Sequence, residues 1–181
     1  MSGRTELFTA AVALICGVAA LTDLWKGRIY NWLTLPAIVA GIAHAAYVSG
    51  LAGAGESLAA TALGLVLLGW MFWLGVMGGG DVKLLMALGA WGGLRFVCET
   101  ALLSLFIGGA LAVLILLFRG RLRGFIERLQ AFLLPIFVKE LEYAPPKLDR
   151  TQTMPYGIPI AIAGIWIAFA GNPLSGLGLG I

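Results

Sequence analysis

Residues 58–84 read LAATALGLVLLGWMFWLGVMGGGDVKL, an uncharged apolar run to Met77 that gives way to Gly78-Gly79-Gly80-Asp81-Val82-Lys83. A run of this kind has the about 20 apolar residues that a helix needs to cross the hydrocarbon of a bilayer. The three glycines end it readily and put a single acid at its boundary. The rest of the chain repeats the apolar half of this pattern. Further stretches run from Leu7 to Leu24, Trp32 to Val48, Leu84 to Cys98, Thr100 to Phe118 and Met154 to Ala170. Over 181 residues, 60% are hydrophobic and 12% charged, whereas a soluble domain averages about 25% charged. With a mean hydropathy of +0.97, the solvent is lipid. The expected fold is all-α, with six transmembrane helices in one integral membrane domain covering residues 1–181.

The first stretch has the outline of a signal peptide, with Arg4, an apolar run and Ala19-Ala20. However, Glu6 stands in the would-be basic region, and the run ends in Asp23-Leu24-Trp25-Lys26 with more apolar stretches behind it. A retained first helix is expected. Placing the N-terminus outside puts Lys26, Arg28, Lys83, Arg119, Arg121, Arg123, Arg128, Lys139, Lys147 and Arg150 inside, and leaves only Arg4 and Arg95 outside. The positive-inside rule selects that orientation, with both termini outside. Between Arg119 and Arg150, apolar residues from Leu122 to Phe137 recur at steps of three and four, with Arg121, Arg123, Glu127, Arg128 and Gln130 on the other face. A cytoplasmic amphipathic surface helix is expected there, not a seventh span. It either anchors to anionic lipid or flanks a substrate; its arginines favour the lipid. The net charge of +3 is likewise read as attraction to the inner leaflet, and nucleic acid is not an expected partner.

Nine acids make the candidate list short. Glu6, Glu56 and Glu99 fall on the outer side, and Glu127, Glu140, Glu142 and Asp149 belong to the 119–150 loop. Asp23 and Asp81 remain, both abutting membrane helices on the cytoplasmic side, where an ionisable group is expensive and calls for a function. Each alone has an ordinary explanation. Asp81 reads equally as an N-cap of the following helix, and Asp23 as a boundary charge paired with Lys26 or Arg28. Together they offer something more. Peptide hydrolysis by carboxylates needs two that share a site, one protonated and one ionised, to act as acid and base. Which is which stays open, because the two titrate as a pair. Gly78, Gly79 and Gly80 leave no side chain between Asp81 and whatever approaches it, and Asn31 is a candidate cap for the second helix. Lys83 either favours ionisation of the pair or snorkels to the interface.

Other chemistries fail on inventory. His44 is the lone histidine and lies in the second stretch towards the outer side, as a helix-packing or interfacial residue; there is no HExxH. Cys16 and Cys98 belong to no CxxC and read as small core residues. No metal and no cofactor are expected.

Three segments resemble one family in order and spacing. Asp23-Leu-Trp-Lys-Gly-Arg28-Ile29-Tyr30-Asn31 resembles the first aspartate motif of the type IV prepilin peptidases. Gly78-Gly79-Gly80-Asp81-Val82-Lys83-Leu84 is similar to their GxGD motif, and Met154-Pro155-Tyr156-Gly157-Ile158-Pro159 to the Pro-aromatic-Gly segment that opens their last helix. The resemblance implies an inner-membrane aspartyl endopeptidase with Asp23 and Asp81 as its catalytic pair, Gly78 and Gly80 shaping the motif, and Arg28, Asn31 and Lys83 as site support. It implies a prepilin or pseudopilin precursor as substrate, cut at the cytoplasmic face behind a basic leader. Tyr30 stands where the family usually has Pro, which affects the shape of that loop. Larger members carry paired CxxC motifs and N-methylate the new terminus. With neither motif here, the short, peptidase-only branch of tight-adherence (Flp) pili is expected. The rival is a small ion- or proton-coupled transporter using the same two acids, which would more often hold them at mid-bilayer in repeated halves. Oligomeric state is not legible.

Overall fold

The computed structural model describes residues 2–75, 77–118 and 156–170. Of these, 93% are helical, and among the described residues there is no strand. Helix α1 spans Ser2–Lys26, α2 Asn31–Trp73, α3 Gly79–Phe118 and α4 Gly157–Ala170. Described residues up to 107, together with 156–170, form one compact unit, and 108–118 belong to a second. Among the described residues, three helical stretches are long and apolar enough to cross a membrane, Glu6–Lys26, Asn31–Trp73 and Gly79–Ile115, while α4 is apolar but shorter.

A straight helix of 43 residues would reach about 64 Å at 1.5 Å per residue, twice the about 30 Å of hydrocarbon. Helix α2 does not run straight. Gly50 sits at φ 63°, ψ −150°, a conformation that only glycine adopts without strain. The chain folds back there, since Gly53 packs against the Ala45 carbonyl and the Ser49 side chain. In an unbroken helix, residues eight apart would be about 12 Å apart. Gly93 does the same in α3 at φ 79°, ψ −175°, bringing Val97 Cγ2 to 3.3 Å from where a Cβ on Gly89 would stand. Within the first unit the two long helices are therefore hairpins, of segments 31–49 with 51–73 and of 79–92 with the residues that follow Gly93.

These reversals correct the expected boundaries. The third segment begins straight after Gly50 rather than at Leu58. The other reversal lies inside the expected Leu84–Cys98 stretch, so that Leu94–Cys98 belong to the next segment. A one-glycine reversal needs no polar loop, and hydropathy registers no gap. At its far end α2 stops at Trp73, short of the expected Met77. The amphipathic helix expected within 119–150, and Met154 and Pro155 of the last stretch, lie outside the described residues.

Segment 79–92 lies at the centre of its unit, with Leu84, Leu85 and Leu88 fully buried. It runs antiparallel to 51–73: the Ser57 hydroxyl donates to Ala90 O at 2.7 Å, Gly89 faces Ala60, and Gly64 faces Leu85 and Met86. It runs in the same direction as 31–49, where Trp91 Nε1 donates to Ala37 O at 2.9 Å and Gly41 lies against Ala90 and Trp91. His44 stacks on Trp91 at 5.4 Å between centroids, the packing role expected of it. Helix α4 lies antiparallel to α1, with Gly164 against Cys16 and Gly157 against Asp23. Small residues at these crossings let backbones approach, the main source of helix association where lipid removes the hydrophobic drive. This alternation gathers residues 23–31, 77–83, 156 and 157 at one end.

A Cβ on Gly89 would stand 2.6 Å from the Ala60 carbonyl oxygen, whereas Gly17 has nothing within 4 Å. Gly89→Ala is expected to lose about 1–3 kcal/mol through overpacking. Gly17→Ala is expected to be neutral or to gain up to about 1 kcal/mol of helix propensity. Unfolding of the purified variants in detergent micelles reads the difference.

Candidate active site

Helix α1 ends where Gly27 takes φ 60° and its N–H donates back to Asp23 O at 2.8 Å, a left-handed C-terminal stop. Asp23 thus stands in the last turn, 5% exposed. Its carboxyl faces the start of α4, where the backbone N–H groups of Gly157 and Ile158 interact with it. A Cβ on Gly157 would lie 2.7 Å from Asp23 Oδ2. That oxygen is buried without a hydrogen-bond partner.

Helix α3 begins at Gly79, so Asp81 is not the N-cap. It lies in the first turn, 6% exposed, and its N–H donates to Gly78 O at 3.2 Å. Its carboxyl in turn interacts with the Gly78 N–H, a reciprocal arrangement of the capping-box kind. Gly78 permits this closeness, because a Cβ there would stand 3.2 Å from Asp81 Oδ2. Asp23 and Asp81 are near enough for their charges to interact. Each therefore faces the N-terminal end of a helix, where unpaired N–H groups stabilise negative charge.

Ile29 joins the two settings. A Cβ on Gly80 would meet Ile29 Cβ at 2.9 Å and Ile29 O at 3.1 Å, and one on Gly157 would meet Ile29 Cδ1 at 2.7 Å. Tyr156, just ahead of α4, donates from its hydroxyl to Ser104 O at 3.1 Å and lies within electrostatic range of Asp81. Ile29, Tyr156 and Gly157 lie inside the recognisable motifs, yet their residue types carry no chemistry that marks them for the site. The glycine of the Pro-aromatic-Gly segment was the available signal, as a residue that lets backbone approach a neighbour.

The supporting residues are arranged otherwise than expected. Tyr30, not Asn31, occupies the N-cap position of α2, and it makes no side-chain cap bond. Asn31 Oδ1 instead accepts from Lys83 Nζ at 2.8 Å. The lysine thereby ties the start of α2 to α3. Lys26 lies over the Tyr30 ring at 5.7 Å, while the Asp23 carboxyl is turned inward, so the boundary pairing of the two does not form. Arg28 is exposed in the link between α1 and α2. Among the described residues, no group of three or more His, Cys, Asp and Glu stands together as a metal site.

Asp81→Ala, which loses the contact with the Gly78 N–H, is expected to destabilise the protein by about 0.5–2 kcal/mol. Asp81→Asn keeps an acceptor and removes a group that competes with Asp23 to ionise. It is expected to unfold at or above the wild-type temperature, and a melt in micelles compares the two.

Residues 10–113 match the Type IV leader peptidase family. The chain is 30% identical over 176 residues to a prepilin leader peptidase/N-methyltransferase of Xanthomonas campestris pv. campestris, an alignment covering 91% of this chain and 50% of that protein. The chain thus spans about half the length of that curated relative. No solved structure matches it.

Proposed function

The chain belongs to the Type IV leader peptidase family, and from that premise we propose that Asp23 and Asp81 are the catalytic pair of a prepilin leader peptidase. The observation that carries the reading is the meeting of two buried, helix-borne carboxyls at one end of the bundle, within range of each other's charge. One carboxylate takes a proton from water, and the hydroxide adds to the carbonyl carbon of the scissile peptide. The other carboxyl protonates the carbonyl oxygen. Collapse of the tetrahedral intermediate breaks the C–N bond, and the leaving amine takes up a proton from the pair. The two exchange roles over the cycle as a coupled unit.

The substrate we assign is a pilin precursor with a basic leader followed by an apolar helix. Its helix lies in the bilayer beside the enzyme, with the scissile bond at the membrane boundary. Support for that depth comes from the tryptophans flanking the carboxyl end, of which Trp25 is 79% and Trp73 84% exposed, as in an interfacial aromatic belt. The six helical segments are assigned as six crossings of the inner membrane, with this end cytoplasmic on the count of Lys and Arg. The finer assignment is cleavage of Flp-type precursors without methyl transfer. The sequence holds two cysteines, neither in a CxxC, and Cys16 is a core residue against Gly164.

Co-expression with an Flp-type pilin precursor tests the assignment. The wild-type chain is expected to release the leader. Asp23→Asn and Asp81→Asn are each expected to slow release by at least about 100-fold, the scale of a lost acid or base. Normal cleavage by both variants sinks the peptidase site. No cleavage by the wild type, together with proton flux into liposomes, would turn the assignment to a transporter.

A further inference from the structure

Asp23 is badly served by its own helix. It stands in the last turn of α1, the end at which the macrodipole is negative and unpaired carbonyls crowd a carboxylate. It is also 5% exposed, so solvent does little to offset this. The backbone groups that face it come from the other end of the sequence, the N–H groups of Gly157 and Ile158 at the start of α4. A second, separate observation points to the same place. Asp23 Oδ2 is buried without a hydrogen-bond partner and stands 2.7 Å from the position of a Cβ on Gly157. The start of α4 is itself fastened from outside, since the Tyr156 hydroxyl donates to Ser104 O at 3.1 Å, and Tyr156 O accepts the Ile160 N–H at 3.3 Å as the first bond of the helix.

From these contacts we infer that the first turn of α4 is the positioning element of Asp23, and that Gly157 sets where the carboxyl stands. The inference rests on the reading that Asp23 reacts. A methyl group at 157 would meet two neighbours, Asp23 Oδ2 and Ile29 Cδ1, each at 2.7 Å. They do not yield alike. Ile29 Cδ1 is the far end of a rotatable side chain and moves aside at small cost. The carboxyl can move only by turning away from the two N–H groups that face it, in a setting where no water offers a substitute. The added methyl therefore falls on the geometry of the reacting oxygen, where a displacement of about 1 Å lowers a rate by about 100-fold. Gly157 is a positioning residue, since it acts through Asp23.

Initial rates of cleavage of a purified Flp-type pilin precursor by purified enzyme in micelles test this. Gly157→Ala is expected to lower kcat by about 100-fold and to leave KM within about twofold, the mark of an interaction lost in the transition state rather than in binding. Its melting temperature is expected to stay near that of the wild type. The double variant with Ile29→Val, which removes Cδ1, separates the two collisions. It is expected to stay as slow as Gly157→Ala alone. Recovery in the double variant would place the whole effect on Ile29 packing and overturn the inference, as would a kcat for Gly157→Ala within about twofold of wild type. Should Gly157→Ala fail to fold, Ile158→Pro decides on the same criteria. It deletes one N–H facing Asp23 in the first helical turn, where proline is tolerated and no intrahelical bond is lost. Asp23→Asn runs alongside. Its activity would sink the catalytic reading, whereas an inactive Asp23→Asn beside a fully active Gly157→Ala would sink this inference alone.

Discussion

A carboxyl group drawn into a helical membrane bundle has to find its partners in the backbone, because neither water nor lipid supplies them. The end of the molecule that holds Asp23 and Asp81 is organised by this constraint. Two helix starts, at Gly78 and at Gly157–Ile158, turn their N–H groups towards the two acids. The same backbone groups would otherwise need caps of their own. Acid and helix start thus answer each other's deficit, and glycine is required wherever a side chain would stand between them.

That mutual arrangement was only half legible in the sequence. Asp81 with its three glycines stood out as a charge at the end of an uncharged run, and Asp23 emerged once the other acids were assigned elsewhere. The contribution of α4 was hidden, since Gly157 carries no chemistry and lies far from both acids along the chain. Local spacing offers Asn31 as a cap for α2, and Lys83 as either a field on the acids or a snorkelling boundary lysine. In space they bond to each other at 2.8 Å, a pairing that local spacing does not reveal. The helical class was plain from hydropathy, but the reversals at Gly50 and Gly93 were not. A positive φ at one residue turns the chain without any polar residue to mark it.

The core of the unit follows the same economy of side chains. Segment 79–92 meets its neighbours through Gly41, Ala60, Gly64 and Gly89, with Ser57 and Trp91 bonding to carbonyls across the gaps. Around the buried Leu84, Leu85 and Leu88, many large residues point outward, as with the exposed Leu14, Val66 and Phe106, which suits a surface met by acyl chains. Close backbone contact makes this core intolerant of an added methyl group, yet it holds the turn before Asp81 in a fixed relation to the end of α1.

The reliance of Asp23 on α4 also sets an order in time. The hairpins turned at Gly50 and Gly93 join segments that are neighbours in sequence, and contacts of that kind form early and fast. The N–H groups that face Asp23 belong to the last described helix to be synthesised. Until that helix docks, the first acid to enter the membrane sits at the unfavourable end of α1 with its partners still unmade. The surroundings of Asp23 are complete only once α4 has docked, so a chain caught partway through synthesis holds both acids without yet holding the site.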